Sequence, residues 1–305
     1  MHTYDCDPIL TDSEVLDFCK KGFIVLDGVM PKEINERVLE ECDEAATEKQ
    51  KNSLNGKHET WHAAQNNRLN ELLKEDWFKE DVLCNPTVAG TIRSILGKDF
   101  ALPQHVSNHR SVCPMPIAQD WHWDGGSRYG FEPTVLLCFY LPQGCPPDMG
   151  PTEILPSSHF MFSPSSRKGH YGEIKGSYYA IAQPGSWVIM MHSLWHRRSA
   201  SSGTGIRNNM KLSYWRTTPP KRDWITEPDF LRQANYSFDG QLYSRRPTRD
   251  ARDAAEMFFW MSGLSDKFEW HGGQGWPATH HSDAAQHRDT PLGTPAYLGG
   301  YSIKG

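Results

Sequence analysis

The chain has 305 residues, a net charge of −5 and 38% hydrophobic residues, which is the composition of an ordinary folded protein. It has no basic excess, so nucleic acid is not an expected partner, and it has no apolar run of about 18 residues, so no membrane span is expected. Seven scattered cysteines without a CxxC pair predict a reducing compartment. We expect a cytoplasmic protein with a small-molecule partner, and the oligomeric state is left open.

The first predicted element is a helix with clear signals at both ends. Thr11 followed three residues later by Glu14 forms a capping-box pattern, and Gly22 is a typical residue for a helix C-terminus. The apolar run at 23–26 then predicts a strand.

Two more helices are predicted before residue 100. Pro31 suits a first helical turn and is followed by apolar residues at helical intervals. Another helix is expected around 88–96, ending near Gly97. Residues 1–100 are therefore predicted to be a mainly helical N-terminal part.

The pattern changes between residues 101 and 220. Short runs rich in Val, Ile, Tyr and Trp alternate with Pro and Gly turns, without long helices between them. This predicts a mainly β fold with flanking helices, in which 101–220 is an antiparallel sandwich or barrel. Residues 221–305 form a C-terminal extension, with an amphipathic helix expected at 252–264. We expect one domain over 1–305.

Three His-x-Asp pairs are candidate metal sites: His122 with Asp124, His281 with Asp283, and His287 with Asp289. Because the chain has 14 histidines, one such pair is weak evidence by itself. In a strand, residues i and i+2 point to one face, so His122 and Asp124 in WHWDGG would point into the barrel together. The other two pairs lie in polar sequence without a following strand and are interpreted as surface coil.

A catalytic metal needs a third ligand. The run GSWVIMMHSLWH offers two candidates, His192 and His196, and Arg207 follows before the next predicted strand. Two histidines and one carboxylate form the facial triad of non-haem Fe(II) oxygenases. A nearby arginine can bind a dicarboxylate through two parallel hydrogen bonds.

These motifs resemble those of the phytanoyl-CoA dioxygenase family of Fe(II)/2-oxoglutarate oxygenases, over most of residues 12–217. The matching stretches are GFIVLDGVMPKEINERVLEEC, WHWDGG, MGPTEILPSSH at 149–159, and GSWVIMMHSLWH followed by Arg207. The family's distal histidine ends the LWH motif, so the resemblance implies His196 as the ligand instead of His192. It also implies that Arg207 binds 2-oxoglutarate.

The resemblance implies a double-stranded β-helix, a cupin-like jelly roll. It implies a metal site of His122, Asp124 and His196 that uses Fe(II), 2-oxoglutarate and O2 to oxidise a C–H bond, with release of succinate and CO2. Hydroxylation, cyclisation and desaturation all fit this chemistry. The family's halogenases lack the carboxylate ligand, so Asp124 makes halogenation unexpected.

Five more residues are candidate contacts. If the strand at 105–112 turns one face inward, Asn108 contacts 2-oxoglutarate and Arg110 contacts an anionic substrate group. Thr134 is a second candidate cofactor contact, and Trp123 and Arg128 are candidate residues at the substrate entrance.

Two other functions remain open from the sequence. One is a cupin-like metal enzyme that does not use 2-oxoglutarate and needs no dicarboxylate-binding arginine. The other is a jelly-roll binding protein without catalysis.

Overall fold

The structure, a computed structural model, describes residues 2–46, 68–124, 132–161, 167–168, 171–234 and 245–268. The helices in these ranges are α1 (Asp12–Lys21), α2 (Lys32–Glu44), α3 (Pro86–Leu96), α4 (Phe230–Ala234) and α5 (Arg245–Met261). A 3₁₀ segment (Arg68–Lys74) and a π-helical turn (Phe78–Leu83) precede α3. Within the described ranges, no helix is long and apolar enough to cross a bilayer.

The strands of the first half are β1 (Thr3–Tyr4), β2 (Phe23–Leu26), β3 (Phe100–Ala101), β4 (Ser107–Asn108), β5 (Ser111–Cys113), β6 (Trp121–His122) and β7 (Val135–Leu141). Those of the second half are β8 (Thr152–Ile154), β9 (Arg167–Lys168), β10 (Tyr178–Tyr179), β11 (Ser186–Met191), β12 (His196–Arg198), β13 (Gly205–Arg207) and β14 (Met210–Trp215).

The strands pair antiparallel into a large sheet, a small sheet and a short ribbon. The large sheet has the order β1-β3-β14-β7-β11-β2, with β4 also paired to β14. The small sheet has the order β10-β8-β12-β6-β9, and β13 pairs with β5. Neighbours in both sheets are distant in sequence, which is the crossing connectivity of a jelly roll. The predicted mainly β fold with flanking helices is confirmed.

The helices predicted before residue 100 are present as α1, α2 and α3. Thr11 and Glu14 form the reciprocal capping box, and Gly22 ends α1 with a φ of +84°, a conformation that favours glycine. The predicted strand at 23–26 lies at the edge of the large sheet, where it pairs with β11. The helix predicted at 252–264 is present as α5, which starts earlier, at Arg245, and ends earlier, at Met261.

The main core lies between the large sheet and the helices. Strand β11 is buried along its whole length and β7 along all but its first residue, and their apolar residues join those of α1, α2, α3 and α5 in one cluster. One face of the large sheet is therefore covered by helices, while the other faces the small sheet. The space between the two sheets is called the lumen below.

A buried carboxylate joins α1 to the segment after β14. Asp12 is fully buried, and its Oδ1 accepts hydrogen bonds from Arg222 Nε at 2.9 Å and Trp224 Nε1 at 2.7 Å. The backbone N–H of Glu227 donates to the other oxygen. Burial alone would raise the pKa of Asp12, but the hydrogen bonds from Arg222, Glu227 and Trp224 outweigh it and lower the pKa.

We expect Asp12→Ala to lower the free energy of unfolding by about 3 kcal/mol, because it leaves Arg222 and two N–H donors without their acceptor. The matched control on the same helix is Asp17→Ala, whose exposed pair with Lys21 should contribute less than about 1 kcal/mol. Urea unfolding of both variants measures this change in the free energy of unfolding.

Because the pKa of Asp12 is lowered on folding, the contribution of Asp12 to stability is complete above the ordinary carboxyl pKa and is lost as the pH falls through the lowered value. Equal effects of the two substitutions would contradict the role of Asp12.

Candidate metal centre

The two candidate metal-binding histidines are direct neighbours on paired strands. His122 of β6 lies opposite His196 of β12 in the antiparallel register, and their ring centroids are 4.6 Å apart. Residues that are directly opposite in such a pair point to the same face of the sheet. Both imidazoles therefore point to one side of the small sheet.

The backbone fixes which ring nitrogen each histidine presents. His122 Nδ1 lies 2.8 Å from the carbonyl oxygen of Asp120, and His196 Nδ1 lies 3.0 Å from that of Leu194. A carbonyl oxygen can only accept, so each Nδ1 carries the proton and donates it. Each Nε2 is then left with a lone pair, which is how histidines that bind metals are usually oriented.

Asp124 completes a cluster in which one ligand atom from each residue lies within 4.8 Å of the others. Its Oδ2 is 3.9 Å from His196 Nε2, and its Oδ1 is 2.8 Å from the ammonium of Lys211. Lys211 belongs to β14 of the large sheet, so the two sheets face each other across this cluster. The cluster lies in the lumen.

The charge states suit a divalent cation. Burial would raise the pKa of Asp124, but His196 and the Lys211 ammonium outweigh it and hold the pKa well below its usual range. Burial, and then the neighbouring His122, lower the pKa of His196 to about 3. At neutral pH His196 is therefore a neutral imidazole beside the carboxylate of Asp124, and together with His122 they form the donor set of the non-haem Fe(II) facial triad. The residues fit the metal.

Arg207 is the second charged group of the lumen. It is 2% exposed, and its Nη2 donates to Thr152 Oγ1 at 3.1 Å. Among the described residues, no carboxylate pairs with this guanidinium and no acceptor reaches its buried Nε. A buried cation without an anion costs free energy, so the site fits an anionic ligand.

Asn108 and Arg110 do not point into the lumen, so the expectation that they contact ligands is corrected. Asn108 lies in the same cross-strand row as Tyr140, whose hydroxyl bonds to helix α2. Arg110 Nη2 lies 3.6 Å from Asp43, also on α2. Both side chains thus lie on the helix-covered face, and the opposite parity points inward: His109 contacts Phe139 at a ring distance of 6.2 Å.

The structure does not place the other candidate contacts at the metal centre either. Thr134 is exposed at the far end of β7, beside the backbone of Arg216. Trp123 alternates with the ligands and stacks on Trp195, with ring centroids 6.3 Å apart, in an aromatic cluster separate from the main core. Arg128 and the His-x-Asp pairs at 281–283 and 287–289 lie outside the described residues.

The sequence motifs did not identify three residues that lie at the site. Thr152 lies within the quoted MGPTEILPSSH motif, but nothing in the motif assigns its hydroxyl to Arg207. Lys211 had a usable signal, since MKLSYW alternates buried apolar residues with Lys211, Ser213 and Trp215. That alternation places Lys211 on the face opposite the helix-covered core. Phe139, 5.7 Å from the His196 ring, lies within an uninterrupted apolar run where no face can be assigned.

Two antiparallel sheets around a His-Asp-His cluster define a jelly-roll enzyme of the non-haem metal class. The family model described as phytanoyl-CoA dioxygenase (PhyH) matches residues 18–209, and the chain belongs to this family. It is an Fe(II)/2-oxoglutarate-dependent oxygenase that uses Fe(II), 2-oxoglutarate and O2. The two alternatives left open by the sequence are not favoured.

Solved structures with this fold share little sequence with the chain. The epimerase SnoN, in complex with Fe3+, alpha ketoglutarate and nogalamycin RO, is 13% identical over 67% of this chain and 83% of SnoN, with a TM-score of 0.50. HygX from Streptomyces hygroscopicus, with nickel and 2-oxoglutarate bound, is 14% identical over 71% of this chain and 90% of HygX, with a TM-score of 0.49. No curated protein matches the chain.

We expect the protein to bind one equivalent of Fe(II) under anaerobic conditions, measured by calorimetric titration. Asp124→Ala should weaken binding at least about 100-fold, because loss of a ligand costs more than loss of the groups that support it. His192→Gln is the matched control, since His192 lies near Asp124 but outside the cluster, and it should weaken binding less than about tenfold. A larger loss with His192→Gln than with Asp124→Ala would show that the wrong residues have been assigned.

Proposed function

We propose that His122, Asp124 and His196 hold the Fe(II) of an oxygenase that oxidises a C–H bond of a small molecule in the lumen. The observation that carries this proposal is the meeting of two Nε2 lone pairs and a carboxylate within 4.8 Å, on one face of the small sheet. When bound, Fe(II) with 2-oxoglutarate and O2 supplies the oxidation of C–H to C–OH, with release of succinate and CO2.

Arg207 and Thr152 are proposed to bind the carboxylate of 2-oxoglutarate that is distant from the metal. Arg207 is buried and offers the planar fork that matches a carboxylate, and the Thr152 hydroxyl lies beside it. The strand positions support this placement, because Thr152 and Ile154 lie on one face of β8 and Ile154 is opposite His196. The arginine site is therefore one step along the sheet from the metal centre.

Lys211 is proposed to hold one oxygen of Asp124 so that the other faces the histidines. The ammonium is 2.8 Å from Oδ1, while Oδ2 is the oxygen nearer His196 Nε2. A carboxylate fixed at one oxygen loses less conformational freedom when it binds a metal.

The substrate is proposed to be a small molecule that contacts the lumen face of the large sheet. Phe139 offers an apolar ring there, His109 a ring nitrogen, and Lys211 a cation that is partly exposed. SnoN, which has the same fold, binds nogalamycin RO in its crystal structure, and nogalamycin RO is also a small molecule. Burial around Phe139 and His196 also keeps water from the reacting atoms.

The first experiment is a screen for succinate released from 2-oxoglutarate with Fe(II), O2 and a library of small molecules, beside a His122→Ala control. We expect succinate formation that depends on at least one library member and is abolished in the control. Wild-type protein that binds Fe(II) but releases succinate with no library member, and not above His122→Ala in its absence, would contradict the proposed reaction.

Arg207→Gln should raise the concentration of 2-oxoglutarate needed for half-maximal turnover by about 30-fold or more. The reason is that losing a buried charge partner of a carboxylate costs about 2 kcal/mol or more. Arg207→Lys keeps the charge but loses the planar fork, so its effect should be smaller. Steady-state succinate formation at varied 2-oxoglutarate measures both. If Arg207→Gln behaves as wild type at low 2-oxoglutarate, another residue binds the distal carboxylate.

A further inference from the structure

A second buried arginine lies on the same strand face as His196. Along β12, Arg197 points away from the lumen, where its Nε bonds to Glu153 at 2.5 Å. Because side chains alternate along a strand, Arg198 points to the same side as His196. Its direct partner across the sheet is Thr152, which already accepts a hydrogen bond from Arg207.

The contacts of Arg198 hold its guanidinium in place without neutralising it. Its two Nη atoms each donate to a backbone carbonyl at 2.7 Å, those of Ser199 and Ile117. No carboxylate among the described residues pairs with it, and its buried Nε finds no acceptor there. Arg207 lies close enough to Arg198 for the two guanidinium groups to repel each other.

Ser111 adds a third polar group to this place. It is 2% exposed and lies directly opposite Arg207 in the pairing of β5 with β13, so the two side chains share a face. Its Oγ is buried and has no hydrogen-bond partner among the described residues. A buried hydroxyl in this state costs about 1–3 kcal/mol unless something bonds to it.

Three neighbouring residues therefore each carry an orphaned polar atom: Nε of Arg198, Nε of Arg207 and Oγ of Ser111. Thr152 links Arg198 to Arg207, and Ser111 lies opposite Arg207. All three can donate, and an ionised carboxylate offers about four acceptor sites. Two buried like charges side by side are unfavourable in the free protein, and a bound anion reverses that penalty.

We propose that Arg198 and Ser111 bind the distal carboxylate of 2-oxoglutarate together with Arg207, so that the cosubstrate lies between two guanidinium groups. This inference rests on the proposed binding of 2-oxoglutarate by Arg207. The spacing agrees with it, because His196 and Arg198 are two strand positions apart, roughly 6.8 Å, which is comparable to the length of a five-carbon diacid. The site selects a dicarboxylate over a monocarboxylate oxo-acid.

The test is calorimetric binding of 2-oxoglutarate and of 2-oxobutyrate to the Ni(II)-loaded protein, in which no turnover consumes the ligand. Arg198→Gln should weaken 2-oxoglutarate binding at least tenfold and leave 2-oxobutyrate binding within about twofold. Arg216→Gln is the matched control, since Arg216 is a half-buried arginine that also donates to backbone carbonyls, but at the far end of β14. It should leave binding of both ligands unchanged.

Ser111→Ala separates a binding role from a structural one. Removing a hydroxyl that has no partner should leave the melting temperature of the ligand-free protein unchanged or higher, yet weaken 2-oxoglutarate binding about fivefold to tenfold. Wild-type binding of 2-oxoglutarate with no effect of Arg198→Gln or Ser111→Ala would overturn this inference alone. Wild-type protein that binds Ni(II) but not 2-oxoglutarate would overturn the proposed function as well.

Discussion

The metal centre depends on the register of two short strands. His122 and His196 face each other only because β6 and β12 pair with these residues directly opposite. A shift by one residue would turn each strand over and bring Trp123 or Trp195 to the lumen in place of a ligand. The aromatic cluster of Trp121, Trp123 and Trp195 on the other face resists that shift, because the shift would expose it or force it into the lumen. The same alternation thus buries three tryptophans on one side and presents the ligands on the other.

The lumen is lined by charged side chains, whereas the rest of the protein interior is mainly apolar. The helix-covered face of the large sheet carries the main core, whereas the lumen face carries Lys211 opposite Asp124. Arg207 and Arg198 are farther along, without carboxylate partners among the described residues. Charges in a partly dry space interact strongly with ions and weakly attract neutral ligands. This arrangement puts the His-Asp-His cluster and two buried guanidinium groups in the same enclosed part of the protein.

Local signals in the sequence predicted most of the secondary structure and two members of the His-Asp-His cluster. The capping box at Thr11, the glycine at 22 and the period of two at His122 and Asp124 are all read from neighbouring residues. The choice of His196 over His192 came from resemblance to a family, and the structure places His196 within the cluster. Signals of this kind do not depend on how distant segments pair.

The errors in the site have one physical origin. The parity of the strand at 105–112 is set by its pairing with β14, a partner about 100 residues away, and the sequence alone does not specify it. Asn108 and Arg110 were therefore placed on the wrong face. The link between Thr152 and Arg207, and that between Lys211 and Asp124, each join strands from different parts of the chain. Such contacts follow from topology and become visible only in three dimensions.

The most direct test of the central assignment is a crystal structure of the protein loaded anaerobically with Fe(II), with anomalous data at the iron absorption edge. The expected result is a single peak bonded to Nε2 of His122, Nε2 of His196 and a carboxylate oxygen of Asp124. A peak held by other residues, such as His192, or ordered protein with these three side chains turned apart and no iron between them, would contradict the account.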